Sequence, residues 1–218
     1  MQELALLFDM DGVIAHTNPY HSKAFEAFFD KYKIPYSLAE FEEHMYGKHN
    51  SYIMSHFFKR PIAGDELLQL EQEKEEMFRQ VYAQHVEGIP GYVNFLKKIK
   101  QAGIKTGVAT SAPRANMDLI IDGLEIRNML DSFMSSENVS QHKPNPEVYI
   151  KSAVNLQIPY HRCIVFEDSF SGITAAINAN MKVVGVLSSH TKSELPPCDL
   201  YIEDYTEIEL NSLFNLID

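Results

Sequence analysis

The 218-residue sequence is short of cysteine and of positive charge, and each shortage excludes a class of protein. Cys163 and Cys198 form no CxxC pair, so we expect a reducing compartment and not a disulfide-stapled secreted fold. The chain has 19 Lys and Arg against 30 Asp and Glu, a formal charge of −11. Proteins that bind nucleic acid usually present a basic surface, so no nucleic acid partner is expected.

The sequence also lacks a long apolar run. The apolar stretch at residues 4–8 is followed by carboxylates, whereas a signal peptide has a basic start and a membrane span needs about 20 apolar residues. We therefore expect a cytoplasmic, soluble monomer with no membrane partner. Hydrophobic residues make up 45% of the chain, which is enough for one domain that could carry a smaller insertion.

Short apolar runs alternate with helical patterns along much of the chain. The runs predict buried strands at residues 4–8, 104–109, 163–166, 183–187 and 200–202. Apolar residues at helical spacing predict helices over residues 91–102, 146–156 and 171–180. This alternation is typical of an α/β fold built on a doubly wound parallel sheet.

Residues 17–87 interrupt the alternation. Their apolar residues recur every three or four positions and predict helices, including a long one over 64–84. The charged run 71–76 is interpreted as a solvated helix face. We predict an all-helical domain at 17–87, inserted between the two core segments 1–16 and 88–218.

Two carboxylates follow the first predicted strand. Asp9 and Asp11, two positions apart, point the same way at the carboxyl end of that strand, and Gly12 permits a sharp turn. Open α/β sheets bind ligands at this edge. A pair of aspartates that only stabilises a turn or caps a helix would look the same.

Small polar residues and a lysine follow at the same predicted edge. Thr110, Ser111 and Ala112 come directly after a strand and offer hydroxyl and amide groups to phosphate oxygens, although Thr110 or Ser111 could equally cap a helix. Lys143 stands before a proline at the entrance to a helix, which would hold its charge in place, whereas an isolated lysine is usually solvated.

An acidic pair ends a later strand. Glu167 and Asp168 abut the apolar run 163–166, and such burial is costly unless the carboxylates are paired or bound to a metal ion. Together with the three preceding segments, this pair resembles the four motifs of the haloacid-dehalogenase-like hydrolase superfamily. The resemblance spans the chain and is strongest to the branch of β-phosphoglucomutase and phosphoglycolate phosphatase, which carries a small helical cap domain.

The resemblance implies an acid–base and metal chemistry. Asp9 would be the nucleophile that forms an aspartyl-phosphate, and Asp11 would act as general acid and then general base. Mg²⁺ would be held by the Asp9 carboxylate, the Asp11 carbonyl and Asp168, with Glu167 in or beside the coordination shell. The acid at position 11 favours phosphoryl transfer over dehalogenation, because a halide leaves unprotonated.

The resemblance also implies substrate contacts. Thr110, the Ser111 amide and Lys143 would hold the transferring oxygens of a small phosphorylated substrate, with Ala112 in the same loop and Arg114 just after it.

In the helical domain, Thr17 and His21 match a threonine and a histidine of the mutase branch, and His21 could bond to Asp11 or simply lie on a helix surface. Gly47, Lys48 and Asn50 lie in a segment that resembles the mutase's specificity loop. The mutase has an arginine where this chain has Asn50, and asparagine supplies neither its charge nor its forked geometry. The difference favours a phosphatase over a phosphoglucomutase-type isomerase; a non-catalytic phosphometabolite-binding protein is a further alternative. Where the family has glycine, Asn180 is expected to end a helix in the left-handed conformation.

Overall fold

A computed structural model describes residues 3–45 and 50–217. The chain divides into two compact units, one formed by the residues up to Thr17 together with those from Val86 onward, the other by Asn18–His85. Among the described residues, no helix combines the length and the apolar character that crossing a membrane would require.

The first unit contains a six-stranded sheet in which every pair of neighbours is parallel. Its strands are β1 Ala5–Phe8, β2 Lys105–Ala109, β3 Ser132–Met134, β4 Cys163–Glu167, β5 Lys182–Val186 and β6 Leu200–Ile202. Their order is β3-β2-β1-β4-β5-β6, so the direction of winding reverses beside β1. The α/β class predicted from the sequence is confirmed.

The helices surround this sheet or build the second unit. The helices of the described residues are α1 Asn18–Tyr32, α2 Leu38–Met45, α3 Asn50–Phe57, α4 Gly64–Tyr82, α5 Tyr92–Gln101, α6 Arg114–Gly123, α7 Glu147–Leu156, α8 Phe170–Asn178 and α9 Leu210–Ile217. Asn180, just past α8, has a φ of 57°, as predicted for the residue that ends this helix.

Both faces of the central strands are buried, which explains why they are continuous apolar runs. On one face, Ala5 and Leu7 join the hydrophobic cluster that includes residues of α7 and α8. On the other face, the Phe8 ring packs edge-on against Tyr92 of α5, with ring centroids 5.3 Å apart. Parallel pairing sets Phe8 beside Val108 and Phe166, so the residues that follow these three strands lie at one edge of the sheet.

The helical unit has its own core, and it corrects one prediction. Phe25, Phe28 and Phe29 of α1 pack among apolar residues of α2, α3 and α4. The interpretation of residues 71–76 as a solvated face is wrong for Lys74 and Glu75, which are buried and paired at 2.6 Å. Burial of these charges is possible because each neutralises the other.

Candidate active site

Lys143 links the carboxyl ends of three adjacent strands. Its ammonium group donates to Asp9 Oδ1 at 2.5 Å, to Glu167 Oε1 at 2.7 Å and to the Ala109 carbonyl at 3.1 Å. An ammonium group has three N–H donors, so these acceptors occupy all of them and fix its direction. The group also lies 4.9 Å from the centre of the Tyr149 ring. The sequence predicted that Lys143 and Asp9 meet at this edge, and the fold brings them together.

Glu167 accepts hydrogen bonds on both carboxylate oxygens. Besides Lys143, the Tyr149 hydroxyl donates to Oε1 at 2.9 Å. Oε2 accepts from the Asp168 amide at 3.0 Å and from the Ser169 amide and hydroxyl at 3.0 and 2.9 Å. A Cβ atom at position 172 would lie 1.6 Å from Glu167 Oε1, so only Gly172 fits. This arrangement suits a residue that orients Lys143 better than it suits a direct metal ligand.

Burial and like charges shift the pKa values of this cluster. Burial raises the pKa of Asp9 well above its usual range, against the opposing effect of Lys143. Burial and then the Glu167 carboxylate raise the pKa of Asp168 to about 7. Burial alone would lower the pKa of Lys143, but the Asp9 and Glu167 carboxylates overcome it and raise that pKa. The ammonium group is therefore charged, while the carboxylates around it are too many for one cation.

The chemistry of the cluster fits a divalent metal ion. Carboxylate oxygens of Asp9, Glu167 and Asp168 lie within 4.8 Å of one another, and all three residues are buried. Hard cations such as Mg²⁺ prefer oxygen ligands, and a bound cation would relieve the repulsion that raises the Asp9 and Asp168 pKa values. Since Glu167 is fully hydrogen-bonded, Asp9 and Asp168 are the better candidates for direct ligands.

Asp11 lies two residues after Asp9, in the turn that follows β1. The buried Thr17 hydroxyl donates to Asp11 Oδ1 at 2.6 Å. Gly12 has a φ of 73°, and a Cβ atom there would lie 2.0 Å from Asp168 Oδ2. The turn after β1 can therefore pack against Asp168 only because position 12 is glycine.

The loop after β2 is held by hydrogen bonds to β3 and within itself. The Thr110 amide donates to the Met134 carbonyl at 2.9 Å, and its hydroxyl accepts from the Ala112 amide at 3.0 Å. Ser111 is exposed between them. Arg114, which opens α6, pairs with Asp118 at 3.0 Å on the same helix. Its guanidinium group is thus held by its own helix, and a role in substrate binding stays a prediction.

The predicted residues of the helical unit have different environments. His21 Nδ1 lies 3.1 Å from Lys74 Nζ, and its ring stacks on Phe78 with centroids 3.8 Å apart. Asn50 is half-buried at the start of α3. Gly47 and Lys48 fall outside the described residues.

Several side chains that support the site were not identified from the sequence. Tyr149 of α7 bonds to Glu167, and the Ser189 hydroxyl donates to Asp168 Oδ2. Nothing marks Tyr149 in a helical apolar pattern, whereas two serines directly after the predicted strand 183–187 are a signal like that of Thr110 and Ser111.

Comparison with known proteins agrees with the resemblance found in the sequence. The family model described as haloacid dehalogenase-like hydrolase matches residues 6–186. A phosphorylated carbohydrates phosphatase from Thermotoga maritima is 27% identical, with 85% of this chain and 86% of the relative covered.

Solved structures agree over nearly the whole chain. A HAD hydrolase, family IA, variant 3, from Entamoeba histolytica superposes with a TM-score of 0.92 at 26% identity, covering 98% of this chain and 99% of the other. The β-phosphoglucomutase from Clostridium difficile has the same fold, with a TM-score of 0.83 at 24% identity and coverage of 99% and 97%. The matched model, the relative and the fold together show that this chain belongs to the haloacid dehalogenase-like hydrolase family.

Proposed function

We propose that this protein is a Mg²⁺-dependent phosphatase that moves the phosphoryl group of a small, sugar-like phosphomonoester first to Asp9 and then to water. The observation that carries the proposal is the buried contact of Lys143 with Asp9 at 2.5 Å, within a cluster of three carboxylates at the carboxyl edge of the sheet. Strongly shifted pKa values cluster at functional sites, and the pKa values of Asp9 and Asp168 are both raised in this cluster.

In the first step, an oxygen of the Asp9 carboxylate attacks phosphorus and the bond from phosphorus to the substrate oxygen breaks. Asp11 in its acid form gives its proton to that leaving oxygen. The Thr17 hydroxyl, 2.6 Å from Asp11 Oδ1, sets the direction of the carboxyl group. Lys143 balances part of the charge on Asp9, so the carboxylate can approach an anionic phosphate.

In the second step, Asp11 as carboxylate takes a proton from water, and the water oxygen attacks phosphorus. The bond between phosphorus and Asp9 breaks, which releases inorganic phosphate and restores the Asp9 carboxylate. The hydroxyl of Thr110 and the amide of Ser111, at the end of β2, would hold phosphoryl oxygens through both steps.

Metal binding is assigned to the Asp9 and Asp168 carboxylates and the Asp11 carbonyl. When bound, Mg²⁺ would supply positive charge that offsets the repulsion between the Asp9 carboxylate and the phosphate. Glu167 would act next to this shell by fixing Lys143, to which it is bonded at 2.7 Å.

The substrate class rests on the relatives. The phosphatase from Thermotoga maritima is named for phosphorylated carbohydrates, and Asn50 of this chain offers no charge for a second phosphate group. We therefore propose a monophosphate, and we propose that the helical unit acts as the cap domain of the family.

The nucleophile is tested by replacing Asp9 with Asn. We expect Asp9→Asn to keep a native circular dichroism spectrum and to release no phosphate from p-nitrophenyl phosphate in Mg²⁺. Asp204→Asn is the matched control, because Asp204 bonds to Thr206 and has no role in the proposed chemistry. Release of phosphate by Asp9→Asn at the wild-type rate would contradict the mechanism.

The reaction class needs a separate assay. Glucose 1-phosphate, supplied with and without glucose 1,6-bisphosphate, should yield free phosphate as the main product. Formation of glucose 6-phosphate in place of free phosphate would identify a mutase. Binding of phosphorylated sugars without turnover of any of them would identify a non-catalytic binding protein.

A further inference from the structure

The segment that leaves β5 contacts the candidate metal site at three consecutive positions. The Ser188 hydroxyl donates to the Gly12 carbonyl, and the Ser189 hydroxyl donates to Asp168 Oδ2. Nδ1 of His190 lies 3.0 Å from the Asp168 carbonyl oxygen. Since a carbonyl only accepts, His190 donates from Nδ1.

The sheet order explains how this segment reaches the site. β5 lies beside β4, in register from Ile164 with Lys182 to Glu167 with Gly185. The residues that leave β5 therefore lie at the same sheet edge as Asp168, which directly follows β4. The Leu187 amide donates to the Ile202 carbonyl at 2.8 Å and so ties the start of the segment to β6.

Close packing leaves little freedom to the Asp168 carboxylate. A Cβ atom on Gly12 would lie 2.0 Å from Asp168 Oδ2 and 2.9 Å from Ser189 Oγ. Gly12 in the turn after β1 therefore lies in close contact with both the Asp168 carboxylate and the Ser189 hydroxyl. Because Ser189 holds Oδ2, rotation of the carboxylate would break this hydrogen bond.

We infer that Ser189 is a positioning residue that orients Asp168 for a divalent cation. The inference rests on the proposed function, because it assigns the metal to Asp168. Hydrogen bonds that orient a metal ligand are typically worth 10- to 100-fold in metal affinity. Ser189 is an exposed residue whose hydroxyl contributes little to the core, so its removal should weaken metal binding without unfolding the protein.

The test measures Mn²⁺ affinity by electron paramagnetic resonance on the full-length protein, with Mn²⁺ as the probe for the site. We expect Ser189→Ala to raise the Mn²⁺ dissociation constant about 10- to 100-fold. Ser189→Thr keeps the hydroxyl and should bind Mn²⁺ within about 2-fold of the wild type. Ser193→Ala, in the same loop and exposed, is the matched control and should leave the affinity unchanged.

A kinetic readout separates positioning from general loss of structure. Phosphate release by Ser189→Ala should need more Mg²⁺ for half-maximal rate, while kcat at saturating Mg²⁺ stays within about 3-fold of the wild type. Unchanged Mn²⁺ affinity in Ser189→Ala would overturn the inference, as would equal losses in Ser189→Ala and Ser193→Ala.

An Asp168→Asn arm distinguishes failure of the inference from failure of the proposed function. Loss of Mn²⁺ binding in Asp168→Asn with no loss in Ser189→Ala would overturn only the role of Ser189. Full Mn²⁺ binding by Asp168→Asn would overturn the metal assignment itself, and the role of Ser189 with it.

Discussion

Replacing Asp168 with Asn probes the surplus negative charge of the buried cluster when no metal is bound. Burial and the Glu167 carboxylate raise the pKa of Asp168 from 3.8 to about 7. When the pKa of an acid is higher in the folded protein than in the unfolded chain, its ionisation favours the unfolded chain and so lowers the stability of the fold. This cost is absent below pH 3.8, grows as the pH rises, and is complete above about pH 7.

The size of the effect follows from the pKa shift. The rise in the pKa of Asp168 to about 7 corresponds to ~4 kcal/mol, and relaxation with entry of water reduces it, so we expect Asp168→Asn to gain about 1–3 kcal/mol at pH 8. Asparagine has nearly the same size, and its carbonyl can accept the Ser189 hydrogen bond. For a chain of this length the gain corresponds to a rise in melting temperature of roughly 2–12 °C.

Thermal unfolding in EDTA between pH 5 and pH 8 measures this difference. The gain of Asp168→Asn over wild type should increase with pH across that range. Asp204→Asn should show no gain and no dependence on pH in this range, because hydrogen bonds from Thr206 lower the pKa of Asp204 and its carboxyl is ionised in both the folded and the unfolded protein above pH 5. With Mg²⁺ added, the wild type should gain stability by ligand linkage and Asp168→Asn should not. A metal-free Asp168→Asn protein less stable than wild type at pH 8, or a gain independent of pH, would refute the reasoning.

Two other substitutions test single contacts. Thr17→Val keeps the shape of the side chain but removes the hydroxyl bonded to Asp11, so we expect kcat for phosphate release to fall about 10-fold. Thr17→Ser keeps the hydroxyl and should stay near the wild-type kcat. An unchanged kcat in Thr17→Val would argue against this role. Gly172→Ala places a methyl group 1.6 Å from Glu167 Oε1, so urea unfolding should show a loss of about 2–4 kcal/mol. Gly103→Ala is the control, because its added Cβ atom meets nothing within 4 Å. It should lower the free energy of unfolding by only about 1 kcal/mol, for its positive φ. Equal losses in the two variants would contradict the packing argument.

The sheet was predictable because its central strands are buried on both faces. Runs such as 163–166 have no polar residue to suggest a helix surface or a loop, and β4 extends only one residue further, to Glu167. The edge strand Ser132–Met134 was not predicted, because three residues with a polar first member form no recognisable run. Short strands depend on neighbours that are distant in sequence.

The sequence predicted which residues lie at the carboxyl edge of the sheet, but it did not predict their hydrogen bonds. Asp9 and Lys143 are 134 positions apart, yet both follow from the rule that ligands bind where parallel strands end. That Lys74 is buried could not be read from its charged neighbours, since only packing brings its ammonium group within 4.8 Å of the Phe25 ring. Ser189 lies just after the predicted strand 183–187, but its contact with Asp168 depends on β5 lying beside β4, which the sequence did not indicate.

The charge of −11 at first argues against an anionic substrate, but the cluster shows why the total is a poor guide. Three buried carboxylates against one ammonium group leave two formal negative charges at the place where the proposed phosphate substrate would bind. A divalent cation would cancel them, and Lys143 would keep its three hydrogen bonds and act on a bound phosphate through its charge. Under the proposed function, affinity for phosphate and affinity for the metal should therefore be coupled, because the cation reduces the repulsion that opposes the phosphate and the phosphate adds negative charge that attracts the cation.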